Sequence, residues 1–288
     1  MQFSVLIVAR NASKIIVPLL EDLKNCDDVI VVNDRSTDDT LEKLHKYKNI
    51  KVIDSVELIK NHKKLKFNEL FFGDEAYFRN LTLNSIGYKY EWLLLLDSDE
   101  RISKNSLNQL TYLKPNKNQV AYSLKRTDIF LGRKLRFSQQ VSSYLRLIKY
   151  NYCKYKRPIN SFIECNGQVK KTKITFEHYP FNEGIDKWID RHINYSNIEA
   201  KKAFNNSFSR KNIFSLELIF KNPIRQFYKN LFYLLYVRGF IKFVLLYVFR
   251  FGFLDGIPGY LYCSLIAWYE TLIEIKQRLY SFEDETKH

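Results

Sequence analysis

Glycine is scarce in this chain, 9 of 288 residues, and none falls in the polar stretch after the first apolar run, Ala9-Arg10-Asn11-Ala12-Ser13. A sugar nucleotidyltransferase would carry a Gly- and Lys-rich phosphate loop there, so this scarcity weighs against that class. Cysteine is sparse too. Cys26, Cys153, Cys165 and Cys263 have no CxxC spacing and no paired histidines nearby. That excludes a zinc ribbon or a disulfide-dense scaffold and predicts reduced, partly buried thiols in a cytoplasmic protein. Long apolar runs are missing as well. The longest charge-free ones near the C-terminus, Phe243–Phe249 and Gly256–Tyr269, fall short of the roughly 20 residues that span a bilayer. Met1-Gln2 leads straight into the strand-like run Phe3–Val8, so no signal peptide is expected. There is no internal repeat and no low-complexity linker.

Acidic residues are the minority: 31 against 46 Lys and Arg, a formal charge of +15. Such a balance suits a polyanionic partner: a phosphate, a nucleic acid or an acidic membrane surface. A nucleic-acid-binding protein would concentrate its basic and aromatic residues on one recognisable module, and none is visible. Hydrophobic residues make up 46% of the chain, enough for a proper core.

The first hundred residues alternate strand and helix patterns. Apolar runs at Phe3–Val8, Asp28–Val32, Ile50–Ile53 and Trp92–Leu96 are separated by helical spacing at Lys14–Asn25, Thr40–Tyr47 and Ala76–Gly87. Near-continuous apolar strands between helices predict an α/β fold with a parallel sheet covered on both faces. In such sheets ligands bind beyond the carboxyl ends of the strands. Three polar loops fall there: Ala9–Ser13, Asn33–Thr40 and Asp97–Arg101. Shorter strands follow at Val120–Lys125, Tyr144–Lys149 and Gln168–Phe176, and the pattern turns helical from Trp188.

The minority acids are not scattered. Asp97-Ser98-Asp99-Glu100 puts three carboxylates in four positions directly after Trp92-Leu-Leu-Leu-Leu. Paired carboxylates at a strand end are a candidate site for Mg²⁺ or Mn²⁺, ions usually held by one or two carboxylates plus substrate phosphates. Alone, such a motif is more often a solvated turn. Here Asp34-Arg35-Ser36-Thr37-Asp38 ends a second strand, Ala9-Arg10-Asn11 a third, and Arg79-Asn80 opens a helix just before the acidic strand. The set offers an Asp for a nucleobase imide, cations for a pyrophosphate and a metal to bridge it.

These stretches resemble the GT-A glycosyltransferases of family 2, in particular the branch containing the lipopolysaccharide core β-1,4-glucosyltransferases of Gram-negative bacteria. The matching residues are Phe3–Asn11, VIVVNDRSTDDT at Val29–Thr40, FRN at Phe78–Asn80 with EWLLLLDSDERI at Glu91–Ile102, IFLGR at Ile129–Arg133 and YLRL at Tyr144–Leu147. His178-Tyr179, WIDRHINYSNIEA from Trp188 and FGFLDGIPGYLYCSLIAWY at Phe251–Tyr269 complete them. The resemblance implies a Rossmann-like, mostly parallel sheet with flanking helices over residues 1–204. It also implies a metal-dependent, inverting transfer of a hexose from a UDP-sugar, UDP-glucose favoured, to a lipopolysaccharide core or other lipid-linked saccharide. By matching position, Ala9, Arg10, Asn11 and Asp34 would hold the uridine and Arg79 the diphosphate or base. Asp97 and Ser98 would lie near ribose and metal, and Asp99 would be the main ligand of Mn²⁺ or Mg²⁺. Glu164 matches the family's base, with Asp128 as runner-up. Arg146 and Arg191 would face acceptor phosphates, with Tyr195 and His192 closing the site or packing, and His178 structural. This chain departs from the pattern at Ile163, where relatives carry His before the Glu, at Asn33 for an acid, and at Arg35 for a small residue.

From residue 205 a helical membrane-associating region is expected. Eight basic residues between Arg210 and Arg250 face one acid, Glu217. Lys221, Arg225 and Lys229 recur every fourth position, as do Arg238 and Lys242, with Leu, Phe and Tyr between. Basic residues on one helix face and apolar ones opposite predict short amphipathic helices, broken at Pro223, Gly239 and Gly252. They would lie peripherally on the anionic inner membrane surface, with Trp268 and tyrosines at the interface. The alternative is that they pack on the catalytic domain.

Overall fold

The computed structural model describes residues 1–59, 70–139, 143–157, 161–208 and 237–286. They form two compact units. One is Met1–Asp128 with Val141–Asn182, the other Ile129–Gln140 with Glu183–His288. The division between the two units falls at Asn182. Helix α6, Ile185–Phe208, belongs wholly to the second unit.

The first unit is built on a mixed sheet. Strands β1 (Ser4–Ala9), β2 (Val29–Asn33), β3 (Ile50–Asp54) and β4 (Trp92–Asp97) run parallel in the order β3-β2-β1-β4. β8 (Ser143–Lys149) pairs antiparallel with β4, and β6 (Gln119–Phe130) antiparallel with β8. β11 (Gln168–His178) lies parallel to β6, and β5 (Glu100–Arg101) closes the edge against it. This is the GT-A architecture expected from the sequence.

Strands β1, β2 and β4 are apolar at nearly every position because both faces are covered, whereas the edge strand β3 is only partly buried. Val5, Ile7, Val29, Val31, Leu94 and Leu96 pack beneath α1 (Ile16–Asp22), α2 (Thr40–His45) and α5 (Lys104–Thr111). The alternate set, Leu6, Val8, Ile30, Val32, Leu93 and Leu95, packs with α3 (Ser55–Ile59) and α4 (Glu75–Ser85). Each such side chain contributes about 1.5–3 kcal/mol on burial. The register sets Ala9 beside Asn33 and Val8 beside Asp97, so the three polar loops leave the sheet on one edge.

A second, two-stranded sheet joins β9 (Cys153–Lys156) and β10 (Phe162–Cys165) antiparallel. Cys153 stands directly opposite Cys165 and the two form a disulfide, with Cα atoms 4.1 Å apart. The expectation of four reduced thiols is thus corrected for this pair. A spacing of 12 residues carries no sign of the cross-strand register that joins them. Cys26 and Cys263 remain thiols, and burial pushes both up to about 11, with Asp27 and Asp255 respectively adding to the effect.

In the second unit, β6 ends by pairing Ile129 and Phe130 with β7 (Arg133–Lys134). Helices α6, α7 (Arg238–Val244) and α8 (Gly256–Glu285) pack together, with a π-helical turn at Leu245–Phe249 and a 3-10 turn at Gly252–Asp255. Lys276 on α8 donates to Ile193 O, Ser196 Oγ and Asn197 Oδ1 on α6, and Trp188 meets Trp268. Among the described residues no helix is long and apolar enough to cross a membrane.

Two expectations for this region change. Arg238 and Lys242 do not form a solvent-facing basic stripe. Arg238 is buried, its backbone N–H on Glu274 and its guanidinium on Gln277, and Lys242 lies 3.6 Å from Glu270. The acids of α8 draw them inward. Gly239 breaks nothing, because it sits inside α7. Lys221, Arg225, Lys229 and Pro223 lie outside the described residues.

Gly239 is where α7 meets α8. A Cβ there would lie 1.9 Å from Thr271 Oγ1 and 2.6 Å from the Ala267 carbonyl oxygen. The hydroxyl can rotate away but the carbonyl cannot. Gly239→Ala should destabilise this unit by about 1–3 kcal/mol through overpacking. Thermal denaturation checks it, and an unshifted transition would show that α7 is not seated in this way.

Candidate functional site

The site is assembled from strand ends of the first unit. Where β1 and β2 stop, two loops are laced together. Asn11 takes a left-handed backbone (φ 49°), and its Oδ1 accepts from the Thr37 N–H at 2.8 Å while its own N–H donates to Ser36 Oγ. Ala12 N–H donates to Thr40 Oγ1 and Ser13 N–H to Asp38. Burial pushes the Asp38 carboxyl up, but hydrogen bonds from Thr40 and Ser13 outweigh it and hold it at about 2. Ala9 itself is buried, and its carbonyl accepts the Asp34 N–H.

Asp34 was expected to meet a nucleobase. It is instead wholly buried, 0% exposed, with its oxygens met by Arg35 Nε at 2.8 Å, Ser55 Oγ, the Phe71 N–H and Arg10 at 3.7 Å. Its carboxylate acts here by holding Arg10 and Arg35 at the loop. A buried charge is tolerable only when so paired.

A second cluster lies where β4 stops. Asp97 accepts from Arg79 at 2.8 Å on one oxygen and from Arg146 at 3.1 Å on the other. Burial pushes the Asp97 carboxyl up, and the two guanidiniums override this and hold it well below the usual carboxylate range. Arg79 also donates to Glu75 and lies between the rings of Phe71 and Tyr155, at 5.3 and 5.4 Å. Arg146 on β8 packs over Phe176 and binds the buried Glu100, which also accepts the Asp97 N–H. Burial pushes the Glu100 carboxyl up against the opposing pull of Arg146.

The third element comes from the far strands. The register places His178 on β11 beside both Asp128 on β6 and Glu100 on β5. His178 Nδ1 lies 2.8 Å from Asp128, and its Nε2 lies 3.5 Å from Asp99. Burial lowers the His178 pKa, but hydrogen bonds to Asp128 and Asp99 outweigh it and raise it to about 9. Arg126 Nε lies 2.9 Å from the same Asp128 oxygen, and its guanidinium donates to the other oxygen at 3.3 Å. The sequence pointed to a structural His178. Its place between two site acids depends on the β11–β6 register, which no local motif carries.

These positions decide what could hold a divalent cation. Asp97, expected as a ligand, has an arginine on each oxygen. Asp99 carries no arginine among the described residues: its Oδ2 lies 3.5 Å from the His178 imidazole, and its side chain is 23% exposed against 30% for Asp97. Among the described residues no three His, Cys, Asp or Glu side chains are gathered at metal-binding spacing. One carboxylate suits Mg²⁺ or Mn²⁺ completed by water and substrate phosphates, and does not make a closed protein cage. Ser98 separates the two acids in the turn between β4 and β5.

The remaining candidates lie elsewhere. Glu164 is on β10, half-exposed and 3.3 Å from Lys156. It alternates with Ile163 and Cys165, which pack on the core, so it points to the opposite face. Asp128 is buried and doubly paired. The hairpin is tied to α4 by Asn80, which accepts the Tyr155 N–H and donates to the Tyr155 carbonyl, and by the Ser161 N–H on Glu75. Arg191 and Tyr195 belong to α6 in the other unit. Arg191 lies 3.4 Å from Glu183, and Tyr195 meets the edge of His192, which stacks on Trp188 at 3.6 Å.

Residues 4–65 match the glycosyl transferase family 2 domain. That segment covers β1, β2, β3 and both laced loops. The chain is 25% identical over 190 residues to an uncharacterized glycosyltransferase of Rickettsia typhi, covering 64% of this chain and 55% of that protein. It is 23% identical over 215 residues to another from Rickettsia prowazekii, covering 69% and 67%. The chain thus spans little more than half the length of the first of these relatives. Among solved structures, S. aureus TarS matches with a TM-score of 0.43 at 19% identity, over 92% of this chain and 55% of that one. A TarS fragment, residues 1–349 in complex with UDP-GlcNAc, matches at 0.42 and 17%, covering 92% and 90%.

The His178 geometry has a pH signature. Its folded pKa lies above the unfolded value near 6.5, so the ion pairs stabilise fully below that value and their contribution is lost as pH rises through about 9. His178→Gln, in chelator, should therefore lower the melting temperature most at pH 6 and least above pH 9. A deficit independent of pH would contradict the charged pairing.

Proposed function

We propose that the chain is an inverting glycosyltransferase of family 2. It would move a hexose from a UDP-sugar, UDP-glucose favoured, to a saccharide acceptor, a lipopolysaccharide core or another lipid-linked oligosaccharide. The observation that carries this reading is the convergence, on one sheet edge, of the Asp34-held Arg10, the Asp97-held pair Arg79 and Arg146, and Asp99, which carries no arginine among the described residues. That arrangement sets fixed guanidiniums beside Asp99, and a nucleoside diphosphate with a divalent cation calls for both a carboxylate and cations. A purely acidic turn would leave Asp99 without the cations. A nucleic-acid surface would not bury its arginines on acids.

The laced loops at Asn11 and Asp34 would seat the nucleoside against backbone held rigid by its own hydrogen bonds. Arg79, fixed by Glu75, Asp97 and two rings, would orient the diphosphate, and Arg146 is the second such cation. Asp99, with His178 beside it, would hold Mn²⁺ or Mg²⁺. A bound metal would supply charge stabilisation for the departing diphosphate. In a single displacement the acceptor oxygen bonds to the anomeric carbon, the carbon–phosphate oxygen bond breaks, and the hydroxyl proton passes to a carboxylate. Glu164 is the proposed base. Of the two candidates it is the accessible one, whereas Asp128 is already committed to Arg126 and His178. The acceptor being lipid-linked, the enzyme would work peripherally at the cytoplasmic face of the inner membrane.

The test is a panel of UDP-sugars assayed for Mn²⁺-dependent hydrolysis and transfer. Asp99→Asn should abolish turnover, because loss of a sole carboxylate ligand costs several kcal/mol. Glu164→Gln should keep donor affinity but lower turnover by about 10²-fold or more. If Glu164→Gln turns over normally, the base assignment is wrong. If no UDP-sugar is consumed under any metal, the reading as a whole fails.

A further inference from the structure

The second unit exposes an apolar surface that nothing in the glycosyl-transfer reading uses. Phe240, Phe249, Phe251, Leu254 and Ile257 are between 55% and 74% exposed. Between Val237 and Leu261 the exposed class holds apolar and tyrosine side chains and one charged residue, Arg250. Large apolar side chains massed in this way mark an interaction surface, whereas single exposed ones need no explanation. Phe251 takes a left-handed backbone (φ 60°), unusual for a bulky residue, and the 3-10 turn that follows carries Phe253 and Leu254 outward.

Charge separates the possible partners. The one acid of this stretch, Asp255, is withdrawn from the surface. Its carboxylate accepts the N–H groups of Arg136, Phe137 and Ser138 and the Ser138 hydroxyl. Those bonds tie the segment Leu131–Phe137 to the start of α8. Leu131 is 61% exposed at its tip, and Arg133, Lys134 and Arg136 are exposed beside it. A Cβ on Gly256 would lie 3.6 Å from the Arg133 guanidinium. The apolar surface is therefore rimmed by cations. A second copy of the chain in a two-fold contact would set these cations against each other. An interface of acyl chains below anionic headgroups matches both parts, with phenylalanines seated at the boundary and arginines above it.

We propose that residues 237–261, together with the Leu131–Phe137 segment, insert shallowly into the headgroup–acyl boundary of an anionic lipid bilayer. The attachment is apolar first and electrostatic second, and it uses neither Arg238 nor Lys242. It does not depend on which sugar is transferred, or on transfer at all.

The experiment is flotation of the full chain with phosphatidylcholine vesicles, with and without phosphatidylglycerol, at low and high salt. The wild type should float with the anionic vesicles and keep a substantial bound fraction at high salt. Phe249→Ser with Ile257→Ser should cut binding at least about tenfold at both salts, with unchanged circular dichroism. Arg133→Glu with Lys134→Glu should lose mainly the low-salt, phosphatidylglycerol-dependent part. Phe249→Trp gives an independent reading, since brominated acyl chains should quench it. A wild type that stays in the soluble fraction, a serine pair that floats normally, or an unquenched Trp would each overturn the proposal. So would sedimentation velocity showing a dimer that the serine pair disperses, with no vesicle binding, because a second copy would then cover the surface. UDP-sugar turnover on a water-soluble acceptor is measured separately. Its failure sinks the proposed activity and leaves this surface standing.

Discussion

Asp97 between Arg79 and Arg146 is the contact on which the first unit turns. A carboxylate at the end of a five-residue apolar run is pulled toward the interior by its neighbours and toward water by its charge. The two guanidiniums resolve that conflict, one from α4 and one from β8. Glu100 then caps Arg146 and the Asp97 N–H, and Glu75 caps Arg79. Removing either arginine would leave this part-buried carboxylate short of a partner, which is destabilising. The same network leaves Asp99 as the acid at this strand end that carries no arginine among the described residues, with His178 beside it.

Charge compensation also organises the second unit. Arg238 is buried against Glu274 and Gln277, and Lys242 is drawn to Glu270. Asp255 spends its charge on three backbone N–H groups. What remains on the surface of residues 237–261 is apolar apart from Arg250 and Tyr260, because Arg238, Lys242 and Asp255 have partners within this unit. Arg238 and Lys242, spaced four apart, thus serve packing, and several phenylalanines of this stretch are left exposed.

Much of the parallel half was legible in the sequence. Strands buried on both faces must be apolar throughout, and Leu-Ile-Val runs ended by Asn33-Asp34 and Asp97-Ser98-Asp99 mark their carboxyl ends without ambiguity. Three polar loops on one edge followed from that alone. What could not be read depends on register between distant strands. The Cys153–Cys165 bridge needs β9 and β10 paired residue for residue. The Asp128–His178–Asp99 chain needs β6 and β11 in step. The partners of Asp34 come from three separate segments, and only their convergence shows that its carboxylate is enclosed. The helical C-terminal half was misread at Arg238 for a related reason: periodicity gives a face but not whether that face points to solvent or to a neighbouring acid.

The central claim is that Asp99, backed by a cluster of held arginines, makes this sheet edge a site for a metal-bound nucleoside diphosphate. Titration calorimetry of UDP into the full chain with Mn²⁺ tests it most directly, alongside chelator and the Asp99→Asn variant. The account predicts saturable binding that chelator weakens and Asp99→Asn weakens by at least about tenfold, as loss of a metal ligand should. Undetectable UDP binding in Mn²⁺, or equal binding by wild type and Asp99→Asn, would contradict it.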